Sequence, residues 1–181
     1  MIWNVNNLIM SQDYYKWKSK DKWLYILSML PFVVMFAGTL FLLKNYSIII
    51  SLIWVFLYLI VNVFQAGCCV GCPYRGKYCP AFCGVYLGNL LSGVLYKNRL
   101  FDSKFFEINA AGGEITLIVF LLFPLYWIYL SNWYFILIYF GLLVFHIVLF
   151  MPKQCSKCSH NINCPGGKAY QSYCKLFKIQ K

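Results

Sequence analysis

Four long apolar runs, separated by short polar segments, dominate the hydrophobic pattern of this chain. Leu24–Leu43 and Tyr46–Ala66 are divided by only two residues, and so are Ala111–Leu130 and Trp133–Met151. A helix of about 20 residues spans roughly 30 Å, the thickness of the hydrocarbon core of a bilayer. Connections this short allow only antiparallel neighbours. The pattern predicts four membrane spans arranged as two hairpins, 24–66 and 111–151.

The polar segments complete the predicted organisation. Residues 1–23 form an N-terminal cytoplasmic or interfacial segment, 67–110 a central loop and 152–181 a polar tail. Inside the central loop, 84–96 has apolar residues at helical spacing, but its length of about 20 Å is too short to cross a bilayer. We expect a short re-entrant or interfacial helix there. The fold class is therefore an all-α integral membrane four-helix bundle, with the charged stretch 97–109 outside the bilayer.

Composition and charge agree with a membrane protein and give it an orientation. Hydrophobic residues make up 61% of the 181 and charged residues 12%, against about half and a quarter in soluble domains. Four Lys or Arg residues fall in the N-terminal segment, five in the central loop, six in the tail and only one in a hairpin turn. The positive-inside rule then predicts a multi-pass cell-membrane protein with both termini and the central loop in the cytoplasm. We attribute the net charge of +11 to orientation and lipid contact, and expect no nucleic-acid partner.

Nine cysteines follow the second and fourth apolar runs in two groups. The first group is Cys68, Cys69, Cys72, Cys79 and Cys83, and the second is Cys155, Cys158, Cys164 and Cys174. Short spacers let two thiolates reach one metal from a single turn, and a second pair completes a four-thiolate shell. The cytoplasm keeps thiols reduced, so metal sites are favoured over disulfides. We expect all nine cysteines to be candidate metal ligands.

The residues around the ligands bear on the choice of metal. Cysteine precedes proline at Cys72, Cys79 and Cys164, as it does where bacterial ferredoxin ligand runs end. Nearby glycines free backbone N–H groups to point at sulfur. These features favour iron–sulfur clusters, with 4Fe-4S preferred, while the irregular spacing of the second group leaves zinc as the alternative. Zinc would make the chain a scaffold or docking protein without catalysis, and handling of a soft metal by the thiols of Cys68 and Cys69 is a second alternative.

One motif carries a resemblance to a known family. Cys68-x3-Cys72-Pro73, at the end of the second run, resembles the CxxxCP signature of the ferredoxin-type quinol dehydrogenase subunits, four-helix membrane proteins of respiratory nitrate and nitrous-oxide systems. The resemblance implies that Cys68 and Cys72 lie on the cytoplasmic side, in a subunit that moves electrons between quinol and a partner. The chain departs from the family after the fourth run, where it has Cys155-x2-Cys158. It also carries no appended ferredoxin domain with two four-cysteine runs.

Two ionisable side chains fall inside the predicted spans, near the end that carries the cysteines. Glu114 begins the third span, and His146 lies about 8 Å inside the end of the fourth. Because ionisable groups are costly in a bilayer, both are weak catalytic candidates for proton exchange with a quinone. The interpretation we favour is that Glu114 reaches the interface and His146 makes a helix-to-helix hydrogen bond. The expected function is iron–sulfur electron transfer between a cytoplasmic redox or docking protein and the membrane, with quinone as a candidate partner.

Overall fold

The computed structural model describes residues 19–70, 72, 75, 87–154 and 165–176. These residues are mainly helical, with turns and short irregular segments between the helices and no strands, which confirms the all-α prediction for the described part. The helices are α1 (Ser19–Tyr46), α2 (Ile48–Cys68), α3 (Gly88–Leu95), α4 (Ser103–Leu122), α5 (Leu125–Ser131), α6 (Tyr134–Gln154) and α7 (Pro165–Leu176).

Three helical stretches are long and apolar enough to cross a membrane. They are Ile26–Tyr46, Ile48–Cys68 and Ser103–Ser131, the last of which covers α4 and α5. The apolar stretch Trp133–Leu149, most of which belongs to α6, is shorter. Large apolar side chains are exposed along all of these helices, an arrangement that suits contact with lipid tails and not with water. The membrane prediction agrees with these helices, while the fourth crossing and the orientation stay predictions.

The turn between α1 and α2 lies later in the chain than predicted. Lys44 and Asn45, the expected turn, are in the last turn of α1, and the chain reverses at Ser47. Ser47 has an extended backbone, and its side-chain oxygen accepts a hydrogen bond from the Ile49 N–H at 3.2 Å. This N-cap satisfies one of the N–H groups left at the start of α2 and so determines where the hairpin turns.

The third predicted span begins earlier than Ala111. Helix α4 starts at Ser103, because the Asp102 side chain caps it by accepting a hydrogen bond from the backbone N–H two residues on, at 3.2 Å. The charged stretch that was expected to lie outside the bilayer as loop therefore supplies the first turns of a helix. Those turns bury Phe106 and Asn109.

The same predicted span is also interrupted, at Phe123 and Pro124 between α4 and α5. Proline has no N–H, so the carbonyl of Phe120 loses its donor within the helix. The indole N–H of Trp54 on α2 donates to that carbonyl at 3.0 Å. The hydroxyl of Tyr139 on α6 donates to the next carbonyl, that of residue 121, at 3.1 Å. Neighbouring helices thus satisfy backbone groups at the break, as an apolar surrounding requires.

Helices α6 and α3 differ from prediction in smaller ways. Pro152, expected to close the fourth helix, lies inside α6, which continues to Gln154. A proline near a helix end removes one backbone hydrogen bond without forcing the chain out of the helix. Helix α3 begins at Gly88 and not at residue 84, and residues 84–86 lie outside the described part.

Two contacts define the two ends of the bundle. At one end the Tyr46 hydroxyl and Ser131 Oγ are 2.7 Å apart and join the α1–α2 turn to the end of α5; we call this the turn end. Further along, His146 Nδ1 on α6 lies 2.8 Å from the carbonyl oxygen of Ser28 on α1. Helix α6 is therefore antiparallel to α1. The carboxyl ends of α2 and α6, each followed in sequence by cysteines, are both at the opposite end of the bundle, which we call the cysteine end.

Candidate functional site at the cysteine end

Helix α2 passes into two successive turns at the cysteine end. The Cys69 N–H donates to the Gln65 carbonyl at 3.2 Å, the Cys72 N–H to the Cys69 carbonyl at 3.1 Å, and the Arg75 N–H to the Cys72 carbonyl at 3.0 Å. The two-residue spacer between Cys69 and Cys72 is therefore closed into a single turn. This is the backbone arrangement from which two thiolates can bind one metal ion.

The described cysteines differ in exposure. Cys69 is 3% exposed and Cys174, on α7, 8%, while Cys68 and Cys72 are half-buried. The other predicted ligands, Cys79, Cys83, Cys155, Cys158 and Cys164, lie outside the described residues. Within the described ranges, no group of three or more His, Cys, Asp or Glu side chains is placed to hold a metal ion. The complete ligand sets therefore stay predictions.

Helix α3 packs against α2 beside this turn through small and polar residues. A β-carbon at Gly88 would come within 2.8 Å of the Gln65 β-carbon and 3.1 Å of the backbone nitrogen of residue 66, so only glycine fits. Asn89 and Ser92 are buried on the same side, whereas Leu90 and Val94 point outward. Helix α3 therefore approaches α2 closely at Gly88. Its re-entrant or interfacial placement stays a prediction.

Helix α4 crosses α2 at Gly67 with a similarly close contact. A β-carbon at Gly67 would overlap the side-chain amide of Asn109. Asn109 is 6% exposed, and its Nδ2 donates to the Phe105 carbonyl one turn earlier, at 2.8 Å. Asn109 was not among the predicted site residues, because it falls in the predicted central loop. Asp102, a good N-cap residue just before Phe105 and Phe106, is the signal that could have placed it in a helix.

Arg75 ties the cysteine turn to α3. Its Nε donates to the Ser92 carbonyl at 3.2 Å and its Nη1 to the Arg99 carbonyl at 3.1 Å. The Ser92 carbonyl also accepts a hydrogen bond from the backbone N–H of Tyr96 at 3.2 Å, so Arg75 supplies a second donor near the carboxyl end of α3, where the helix dipole favours a positive charge. The Arg99 guanidinium in turn lies over the Phe105 ring, 3.6 Å from its centre. Arg75 therefore helps to hold α3 beside the cysteine turn.

Three buried polar atoms beside the cysteine turn have no hydrogen-bond partner in the part of the chain that the structure describes. They are Arg75 Nη2, Ser92 Oγ and Gln65 Oε1. Arg75 also makes no ion pair with any described carboxylate. An N–H group of this kind, buried and positively charged, is suited to an acceptor with negative charge. Metal-bound thiolate is one such acceptor.

Glu114 and His146 do not meet in a common site. Glu114 is exposed on α4, while His146 is 1% exposed and faces α1, where its Nδ1 contacts the Ser28 carbonyl. Its ring centre lies 5.6 Å from that of Phe32. A carbonyl only accepts, so this contact requires a proton on Nδ1. The helix-to-helix hydrogen bond that we favoured for His146 is confirmed.

Comparison with known proteins assigns no family to this arrangement. No protein-family model, curated protein or solved structure matches the chain. The resemblance carried by Cys68 and Cys72 therefore stays a prediction. The function has to be argued from the residues at the cysteine end.

Proposed function

We propose that this membrane protein carries iron–sulfur clusters, with 4Fe-4S favoured, at its cysteine end and passes electrons between a cytoplasmic partner and the membrane. The observation that carries the proposal is the closed turn from Cys69 to Cys72 at the end of a helix of membrane length. A redox group held there would lie where a membrane helix ends. That is a position from which electrons can pass between a water-soluble protein and the bilayer.

The residues at the cysteine end suit such a group. Cys69 and Cys72 would supply two thiolates from one turn, Cys79 and Cys83 the other two, and Cys68 is an alternative ligand. The second group would be held by Cys155, Cys158, Cys164 and Cys174. When bound, a cluster of this kind supplies one-electron transfer at a potential set by burial and by hydrogen bonds to its sulfurs.

The surroundings of the turn support the same proposal. Thiolate ligands bring negative charge, and the buried Nη2 of Arg75, three residues from Cys72, has no acceptor among the described residues. Cys69 is almost fully buried while Cys72 is half-buried, so one side of the turn faces the protein and the other remains accessible to a partner. The cytoplasmic orientation and the candidate quinone rest on the distribution of basic residues and on the resemblance, respectively.

A zinc-stabilised docking protein is the second candidate function. It is supported by the way Arg75 fastens the turn to the carbonyls of Ser92 and Arg99, because structural zinc sites also serve to hold loops on a rigid support. In that case the exposed side of the cysteine end would bind a partner protein without redox chemistry.

Metal analysis of anaerobically purified protein tests the proposal. Iron, acid-labile sulfide and a broad visible absorption that bleaches on reduction are expected, because zinc is colourless and redox-silent. Cys72→Ser should remove the colour of one site and leave that of the other, whereas Cys68→Ser, at the alternative ligand, should have the smaller effect. Colourless protein with stoichiometric zinc would contradict electron transfer and favour the docking function. Metal-free protein with reactive thiols would exclude both and leave the soft-metal chemistry of Cys68 and Cys69.

A further inference from the structure

A cavity of about 440 Å³ lies between α1, α5 and α6, in the half of the bundle near the turn end. Its size falls within the range of roughly 300–1,000 Å³ found for small-molecule sites. Its wall is mainly apolar, with side chains such as Val34, Phe135 and Leu142. No charged side chain is among the described residues that line it.

The few polar groups of this cavity are unevenly placed. Asn45 is in the last turn of α1 and Ser131 ends α5, so both lie at the turn end. From Val34 to Asn45 the cavity follows α1 for about 17 Å. One end therefore carries two polar side chains level with the helix turns. Along the rest, which is level with the hydrocarbon core, the polar groups are the hydroxyls of Thr39 and Tyr139, and that of Tyr139 already donates to the Leu121 carbonyl.

The cavity is open toward the outer, lipid-facing surface of the bundle. Val34, Phe41 and Ile138, which line it, are 51%, 70% and 55% exposed. Acyl chains in a bilayer run roughly parallel to membrane helices, so a chain can enter sideways without leaving the apolar phase. The ester groups of the same lipids lie where the helices turn.

We propose that this cavity binds one acyl chain of a membrane glycerolipid, whose ester carbonyl accepts hydrogen bonds from Asn45 Nδ2 and from the Ser131 hydroxyl. The Ser131 hydroxyl can donate to the lipid while its oxygen accepts a hydrogen bond from the Tyr46 hydroxyl, 2.7 Å away. The neutral lining selects for this uncharged part of the lipid, because a phosphate or carboxylate would find no cation among the lining residues. The cavity lies in the half of the bundle away from the cysteine end, so this inference is independent of electron transfer.

Gly38 provides the means of testing the site. It lines the cavity, and a β-carbon built there meets no atom within 4 Å. A larger side chain at this position would therefore extend into the cavity, where the lipid would bind, without clashing with neighbouring protein atoms. Gly141 on α6 is equally open but is not among the lining residues, so it gives a matched control. Both substitutions replace a glycine inside a helix and should favour the helix equally.

The experiment compares Gly38→Leu with Gly141→Leu by native mass spectrometry and quantitative lipid extraction after purification in mild detergent. Wild type and Gly141→Leu should retain about one glycerolipid per chain, and Gly38→Leu should retain at least about tenfold less, because the leucine side chain would occupy the space of the acyl chain and remove its packing contacts. Gly38→Ala, which adds a single methyl group, should fold as the wild type does and show an intermediate loss.

Three results would overturn the proposal. The first is equal glycerolipid retention in all four proteins. The second is an isoprenoid quinone, and not a glycerolipid, whose loss follows the Gly38 series. The third is a change in oligomeric state that follows the Gly38 series while the lipid content is constant, since the cavity would then be an interface between copies of the chain.

Discussion

At the turn end, α1, α5 and α6 meet through apolar and aromatic side chains, whereas at the cysteine end α2, α3 and α4 meet through amides, a hydroxyl and glycines. Phe32, Met35, Ile128 and Tyr139 form the buried cluster of the first region. Gln65, Asn89, Ser92 and Asn109 are the buried polar residues of the second. Each region includes a helix long and apolar enough to cross a membrane, so helix length and apolar character alone do not distinguish them.

The difference shows where the bundle needs a defined arrangement. In a membrane, apolar side chains gain little by leaving lipid for a helix interface, so close backbone approach and hydrogen bonds determine how helices pack. The cysteine end has both, at Gly67, Gly88 and Arg75. The turn end has an open cavity beside its apolar cluster. The tighter region is the one that carries the candidate ligands, which a metal site would need in defined positions.

The largest effect should come from adding bulk at the tight crossing of the cysteine end. Gly67→Ala places a β-carbon against the Asn109 amide, and overpacking of this kind costs about 2 kcal/mol of the free energy of unfolding. Gly38→Ala, the same change at an open position, should be neutral or slightly stabilising. Thermal unfolding in detergent, followed by circular dichroism, measures both.

Asn109→Ala in the Gly67→Ala protein should recover more than half of that loss, because the amide is the group that is overlapped. If Gly67→Ala unfolds like Gly38→Ala, the two ends do not differ in packing and the comparison fails.

The second-largest change in stability is expected at the proline break near the turn end. Trp54→Phe removes the N–H that binds the Phe120 carbonyl and should cost about 1.5 kcal/mol, because the buried carbonyl loses its donor. In a Pro124→Ala background, residue 124 can itself donate to that carbonyl. The same Trp54→Phe change should then cost less than half as much. Denaturation of the four proteins of this double-mutant cycle gives the coupling directly.

Trp127→Phe is the control for this cycle, since Trp127 lies in the same region and packs beside Phe123 without a described indole hydrogen bond. An equal cost of Trp54→Phe with and without Pro124 would mean that the indole acts only by filling space. The hydrogen bond from Trp54 to the Phe120 carbonyl would then add nothing measurable to the stability of the proline break.

Sequence patterns located the apolar helices well, because runs of this length have no alternative in a bilayer. They placed helix ends incorrectly, because a single side chain can determine where a helix begins or stops. Ser47 and Asp102 begin helices by capping, and Pro124 interrupts one. Each of these residues was visible in the sequence. The sequence did not show which residue donates a hydrogen bond to the Phe120 carbonyl at the break, because Trp54 is far from Pro124 along the chain.

The direction in which α3 faces could not be predicted for a different physical reason. In a soluble protein the apolar face of a helix is the buried one, but lipid is as apolar as a protein core. Leu90 and Val94 are exposed while Asn89 and Ser92 are buried. The periodicity therefore identified the apolar and polar faces of α3, but it could not show which face is buried against the protein. Likewise, the spacing of Cys69 and Cys72 predicted a shared turn, but the full ligand sets depend on contacts between segments far apart in the chain.

The smallest effect tests whether Arg75 orders the cysteine end by its geometry or only by its charge. Arg75→Lys keeps the positive charge but cannot bind the Ser92 and Arg99 carbonyls together, as the guanidinium does. The change should weaken the attachment of α3 by about 1 kcal/mol, which would speed amide hydrogen exchange in residues 88–96 about fivefold. Exchange at the turn end should be unchanged, because Arg75 contacts nothing there.

Arg99→Lys is the matched control, since a lysine can still place its cation over the Phe105 ring and should alter exchange less. Equal exchange in wild type and Arg75→Lys would mean that the Gly88 contact alone, and not Arg75, holds α3 in place. Faster exchange throughout the bundle would mean that the stabilities of the two ends are coupled.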